Sequence, residues 1–117
     1  MASDTRTAII NAMLTKLKEA MDDGRFTFWH DRPDKKNSDT LYLLQFDLHD
    51  AISQMKMLER IHYRKGPYPP SENPDEPELW EFKKRMNEYE IYIKFKWSKK
   101  HNWFTCVSFH VNEEGEE

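Results

Sequence analysis

The sequence predicts an α+β domain in which N-terminal helices pack on a twisted antiparallel sheet of about four strands. Apolar residues recur at three- and four-residue spacing through the first half of the chain and alternate strictly through its last third. The length of 117 residues allows one domain, 1–117, with a single modest core.

The elements follow in order. Ile9, Ile10, Met13, Leu14, Leu17, Ala20 and Met21 mark one face of a first helix, with Ser3 or Asp4 placed to cap its start and Gly24 to end it. In "RFTFWH", residues 25–30, Phe26, Phe28 and His30 alternate with Arg25, Thr27 and Trp29, which suits a pleated surface. The polar loop "DRPDKKNSD" then leads into a short helix through Leu41, Leu43 and Leu44, capped by Asn37 or Ser38. Asp47 caps another helix, whose face is Leu48, Ala51, Ile52, Met55 and Leu58. Past Arg60 the helical period stops. Pro67, Pro69, Pro70, Pro74 and Pro77 argue against helix or central strand, so the segment is expected to be a loop. Three strands follow, at 78–85, 89–97 and 103–111, joined by turns in "MNEYE" and "SKKHN", and an acidic tail at 113–117 is expected to be disordered.

Composition narrows the function. Aromatic residues reach 14% with four tryptophans, so large rings can supply much of a core drawn from only 38% hydrophobic residues. No apolar run approaches the roughly 18 to 20 residues that span a bilayer, and the start "MASDTRTAII" lacks signal-peptide regions, so a cytoplasmic protein with no membrane partner is expected. The single Cys106 excludes an internal disulfide and a zinc site built from cysteines, and reads as a buried strand residue. No carboxylate and histidine cluster stands out at metal-ligand spacing, and no cofactor is implied. The net charge of −3 hides segregation: residues 83–101 hold seven lysines or arginines against two glutamates. Such a stretch is a solvated strand face or an attractor of phosphates.

Strand alternation sorts the side chains. Tyr92, Lys94 and Lys96 lie opposite the apolar set of their strand, while Cys106, Ser108 and His110 lie opposite Val107 and Phe109. Tyr92 and His110 are thus expected on one face, where Glu81 joins them if its strand pairs alongside, with Arg64 arriving from the proline-rich loop.

The segments "LKEAMDDGRF", "FDLHDAISQMKML", "HYRKGP", "LWEF", "EIYIKFKW" and "CVSFH" together cover much of the chain. They resemble the type II toxin family named after the motility quorum-sensing regulator MqsR, one of the RelE-like ribonuclease toxins. The resemblance implies a RelE-like fold, a messenger-RNA-cleaving activity, and two partners, RNA and a cognate antitoxin protein. It places the family's functional positions on Arg64 and His110, where the family has lysines, on Glu81, where it has a glutamine, and on the unchanged Tyr92.

Cleavage by attack of a ribose 2′-hydroxyl on the adjacent phosphate needs a base, an acid and cations at the developing charge, and requires no metal. Glu81 can accept the hydroxyl proton, His110 can protonate the leaving 5′-oxygen, Arg64 can fork onto the phosphate, and Tyr92 can orient it. Tyr63, Trp80 and Tyr68 are candidate base-stacking rings, and Lys65, Lys94 and Lys96 candidate phosphate contacts. Two other classes fit the same residues: a non-catalytic binding or inhibitor protein of a mobile element, and a single-stranded nucleic-acid binder. His30, His49, His62 and His101 show no consistent partner.

Overall fold

The computed structural model describes residues 2–68 and 75–112. Helix α1 spans Ala2–Asp23, strand β1 Phe26–Phe28, helices α2 and α3 Lys36–Leu44 and Leu48–Lys56, and strands β2 to β5 Tyr63–Tyr68, Glu78–Met86, Tyr89–Ser98 and Trp103–Val111. The expected acidic tail and the prolines at 69, 70 and 74 lie outside the described residues.

The α+β class is as expected, but the sheet is five-stranded and mixed, in the order β1-β5-β4-β3-β2. The two departures from four antiparallel strands sit at its edges. At one edge β1 runs parallel to β5, with Phe26 beside Phe104 and Phe28 beside Cys106. At the other, the segment expected to be a loop supplies β2, antiparallel to β3. Pro67 bars a central strand, but an edge strand needs only one side of its backbone paired. β2 accommodates the proline through irregular register between Tyr63, Lys65 and Tyr68 and through Gly66, whose φ of +133° only glycine adopts with ease.

The helices start and stop for local reasons. Gly24, at φ +79°, ends α1 as the sequence suggests. The start differs, because α1 already runs from Ala2, so Ser3 and Asp4 lie inside the helix rather than ahead of it. Asp47 caps α3 reciprocally: its carboxylate accepts from the Asp50 amide at 2.8 Å, and Asp50 accepts from the Asp47 amide at 2.9 Å. Neither Asn37 nor Ser38 caps α2, which begins at Lys36 after a left-handed Lys35. Asn37 is fully buried instead, its Nδ2 donating to the Trp29 and Val107 carbonyls while its Oδ1 accepts from the Phe109 amide. It thereby satisfies backbone groups along the outer edge of β5 that no strand reaches.

One face of the sheet carries the core. Phe82, Ile91, Ile93, Phe95, Phe104 and Phe109 meet Leu14, Leu17 and Ala20 of α1 and Ala51 and Met55 of α3 in one buried cluster. Cys106 belongs to this side, not to that of Ser108 and His110 as alternation suggested. The register slips between Lys94 and Phe95, which pair with Ser108 and Cys106, so Val107 is an extra residue in β5. Such a bulge reverses the phase of alternation beyond it. Phe104 and Cys106 before it, and Phe109 and Val111 after it, therefore all face the core, and Ser108 and His110 point the other way.

Candidate functional site

The sheet face turned away from α1 and α3 is polar, and the strand register arranges it in rows. One row crosses Lys83, Tyr92 and His110; the next Lys65, Glu81, Lys94 and Ser108; a third Tyr68, Leu79, Lys96 and Thr105. Successive rows lie two residues apart, about 6.6 Å along the strands.

Glu81 sits between Lys65 and Lys94 and accepts a hydrogen bond from the Tyr68 hydroxyl. Burial pushes the Tyr68 phenol well above its ordinary range, and the adjoining Glu81 adds to this, so Tyr68 stays protonated and donates. Lys65 places its ammonium 4.3 Å from the centre of the Tyr68 ring. The Tyr92 and His110 rings lie 5.3 Å apart, and Lys94 Nζ is 6.0 Å from the Tyr92 ring. His110 is only 3% exposed. It borders a cleft of about 220 Å³ shared with Lys36, Asp39 and Thr40 of α2.

Glu81 and His110 are one row and two strands apart, which puts their Cα atoms about 12 Å from each other, with Tyr92 and Lys94 between. A phosphate above Tyr92 and Lys94 would have the carboxylate on one side and the imidazole on the other.

The fold gathers Glu81, Tyr92, His110, Lys65, Lys94 and Lys96 on this face, with Tyr68 beside them. It does not bring Arg64, Tyr63 or Trp80 there. Arg64 donates from Nη1 to the Ile61 and Tyr63 carbonyls, and its charge acts on His62 at the far edge of β2. Trp80 is 3% exposed and faces the core, with the Tyr63 ring packed edge-on against it at 6.2 Å. These two aromatic rings lie on the α1 side of the sheet, lining a cleft of about 410 Å³ with Ile9 and Ile10.

Two cations that sequence reasoning did not single out do belong to the polar side. Lys83 is 8% exposed and pairs across the strands with Tyr92. Arg32, from the loop after β1, donates from Nη1 to Ser108 Oγ at 2.7 Å and to the Val107 carbonyl at 3.2 Å, while its Nε faces Asp34 at 3.0 Å. The Lys36 amide bonded to Asp34 holds that carboxyl below its ordinary range, helped by the charges of Arg32, Lys36 and His110. No local pattern marks Arg32, because its place beside Ser108 follows from the non-local pairing of β1 with β5.

Asp47, His49 and Asp50 form a group that the sequence reading passed over, with ligand atoms within 4.8 Å of one another. It is exposed, lies at the start of α3, and its two carboxylates are engaged in the capping box. No helix among the described residues is long and apolar enough to cross a membrane.

Comparison with family models, with curated proteins and with solved structures finds no match for this chain. The resemblance to the MqsR toxins rests on the sequence motifs alone.

Proposed function

We propose that the protein is a RelE-like endoribonuclease toxin that acts in the cytoplasm, cuts messenger RNA on the polar sheet face, and is held silent by a cognate antitoxin protein. The observation that carries this reading is the arrangement of Glu81 and His110 on either side of Tyr92 and Lys94. The scissile phosphate rests over Tyr92 and Lys94. Glu81, fixed by Tyr68, takes the proton of the 2′-hydroxyl; His110 delivers one to the leaving 5′-oxygen through the cleft it shares with Lys36 and Thr40. Arg32, clamped between Asp34 and Ser108, takes the phosphate-holding role first given to Arg64. Charge neutralisation by Lys83, Lys94 and Arg32 supplies the electrostatic part of the rate.

The test is expression of the chain alone, followed by cleavage of RNA with purified protein in the presence of chelator. Growth arrest is expected, with fragments ending in a 2′,3′-cyclic or 3′-phosphate and a free 5′-hydroxyl. A substrate with 2′-deoxyribose at the cut survives. Glu81→Gln and His110→Ala each lower the rate by about 100 to 10,000-fold. Normal growth with folded protein present, or cutting of the deoxy substrate, removes the proposal. The near-complete burial of His110 favours one second reading, a binder of single-stranded RNA without chemistry. RNA retained intact by the wild-type protein would establish it.

A further inference from the structure

We propose that the β4–β5 hairpin end of the polar face is a second nucleotide subsite, where Trp103 stacks an unpaired nucleobase and Lys96 holds the neighbouring phosphate. The inference rests on the reading of this face as an RNA surface. Pro77, Lys96, Ser98, His101, Trp103 and Thr105 line a cleft of about 430 Å³. Ser98 pairs with Trp103 and Lys96 with Thr105, so these four side chains share the face of Glu81 and Tyr92 and continue its rows.

Trp103 is 38% exposed, yet its ring is fixed, because its indole Nε1 donates to Thr27 Oγ1 at 2.9 Å. Thr27 comes from β1, which pairs with β5 here, so two strands hold one exposed ring in place. A fixed, exposed indole is a low-entropy platform for a flat apolar ligand. The cations around it differ in availability. Lys99 is bound to Glu78 at 3.0 Å, whereas Lys96 is exposed and lines the cleft. Ser98 and Thr105 place hydroxyls beside the ring, suited to the edges of a base or to a ribose. An aromatic plane, a cation and short hydroxyls in one cleft match a nucleotide with its base unpaired.

The subsite is remote from the reacting centre. Trp103 pairs with Ser98 and His110 with Tyr92, six residues apart along β4, or about 20 Å. A bound RNA must therefore extend several nucleotides to one side of the cut, and substrates too short to reach Trp103 bind more weakly.

The experiment measures binding of single-stranded oligonucleotides carrying one 2′-deoxyribose at the cut, so that nothing is cleaved. Trp103→Ala is expected to weaken the long oligonucleotide about 10 to 100-fold, the size of one base stack, while Trp103→Phe keeps most of the affinity. A short oligonucleotide that ends before the subsite binds all three proteins alike, and Lys96→Gln weakens only the long one. Melting temperatures confirm that each variant is folded. Equal binding of the long oligonucleotide by wild type and folded Trp103→Ala overturns the subsite and leaves the RNA reading standing. Failure of the wild type to bind any single-stranded RNA overturns both.

Discussion

A histidine nitrogen that accepts a hydrogen bond cannot also carry a proton, and His62 is such a case. Its Nδ1 accepts from the Glu59 amide at 2.9 Å. Partial burial, and after it the nearby charges of Lys84 and Arg64, hold its pKa below the ordinary 6.5. In the unfolded chain the same ring protonates near that value. As pH falls below about 6.5 the unfolded state therefore binds protons that the folded state does not, and stability declines until the folded pKa is passed. Melting temperature is expected to drop between pH 7.5 and pH 5.5, and His62→Gln, which keeps an acceptor but gains no proton, should flatten part of that slope. An unaltered slope in the variant would contradict this role. His62 drew no notice in the sequence because its partner is a backbone amide. Asn37 was misread for a related reason. Its side chain favours helix caps in general, but here its amide serves the edge of β5, whose position depends on pairing across about seventy residues of chain.

Among the elements, α1, α3, β3, β4 and β5 were legible because each carries a long, uninterrupted period in its own residues. β2 was not, since its one proline, Pro67, excludes only one of the two strand environments. Its attachment to β3 depends on Gly66. A Cβ there would lie 2.8 Å from the Leu79 carbonyl oxygen and 3.0 Å from Trp80 Cα, both backbone atoms that cannot swing aside, and φ is +133°. Gly66→Ala is therefore expected to destabilise the fold by at least about 1 to 3 kcal/mol from backbone strain. Loss of hydrogen-exchange protection should be concentrated in the β2–β3 ladder. A denaturation midpoint equal to that of the wild type would show that β2 can move off β3 without cost. The hairpin turns, by contrast, were readable from asparagine, and Asn87 and Asn102 do hold the left-handed backbone that these turns need.

At the scale of the molecule, the net charge of −3 understates what an approaching polyanion meets on the polar face, where Lys65, Lys83, Lys94 and Lys96 stand among two tyrosines and one glutamate. If RNA binds there, its affinity falls linearly with log salt concentration. Changing Lys94 or Lys96 to Gln should reduce the slope by about 0.7 each, the share of one phosphate contact on a single strand. A slope insensitive to both changes would move the RNA surface elsewhere. Alternation within strands sufficed to bring Glu81, Tyr92 and His110 to one face. It failed for Arg64 and Tyr63, whose surroundings are set by an edge strand the pattern did not reveal, whereas for Trp80, next to Glu81 in β3, the same alternation already points to the opposite face. It also failed for Arg32, which reaches Ser108 across 76 positions of sequence. The bulge at Val107 has a further consequence, in the currency of insertions and deletions. His110 owes its outward aim to the bulge: if Val107 were paired into the ladder, His110 and Phe109 would trade places between solvent and core, whereas deleting Val107 would join Cys106 to Ser108 in a regular ladder and leave His110 facing outward. A deletion at Val107 is therefore expected to cost the carbonyl that receives Arg32 and Asn37, not the orientation of His110.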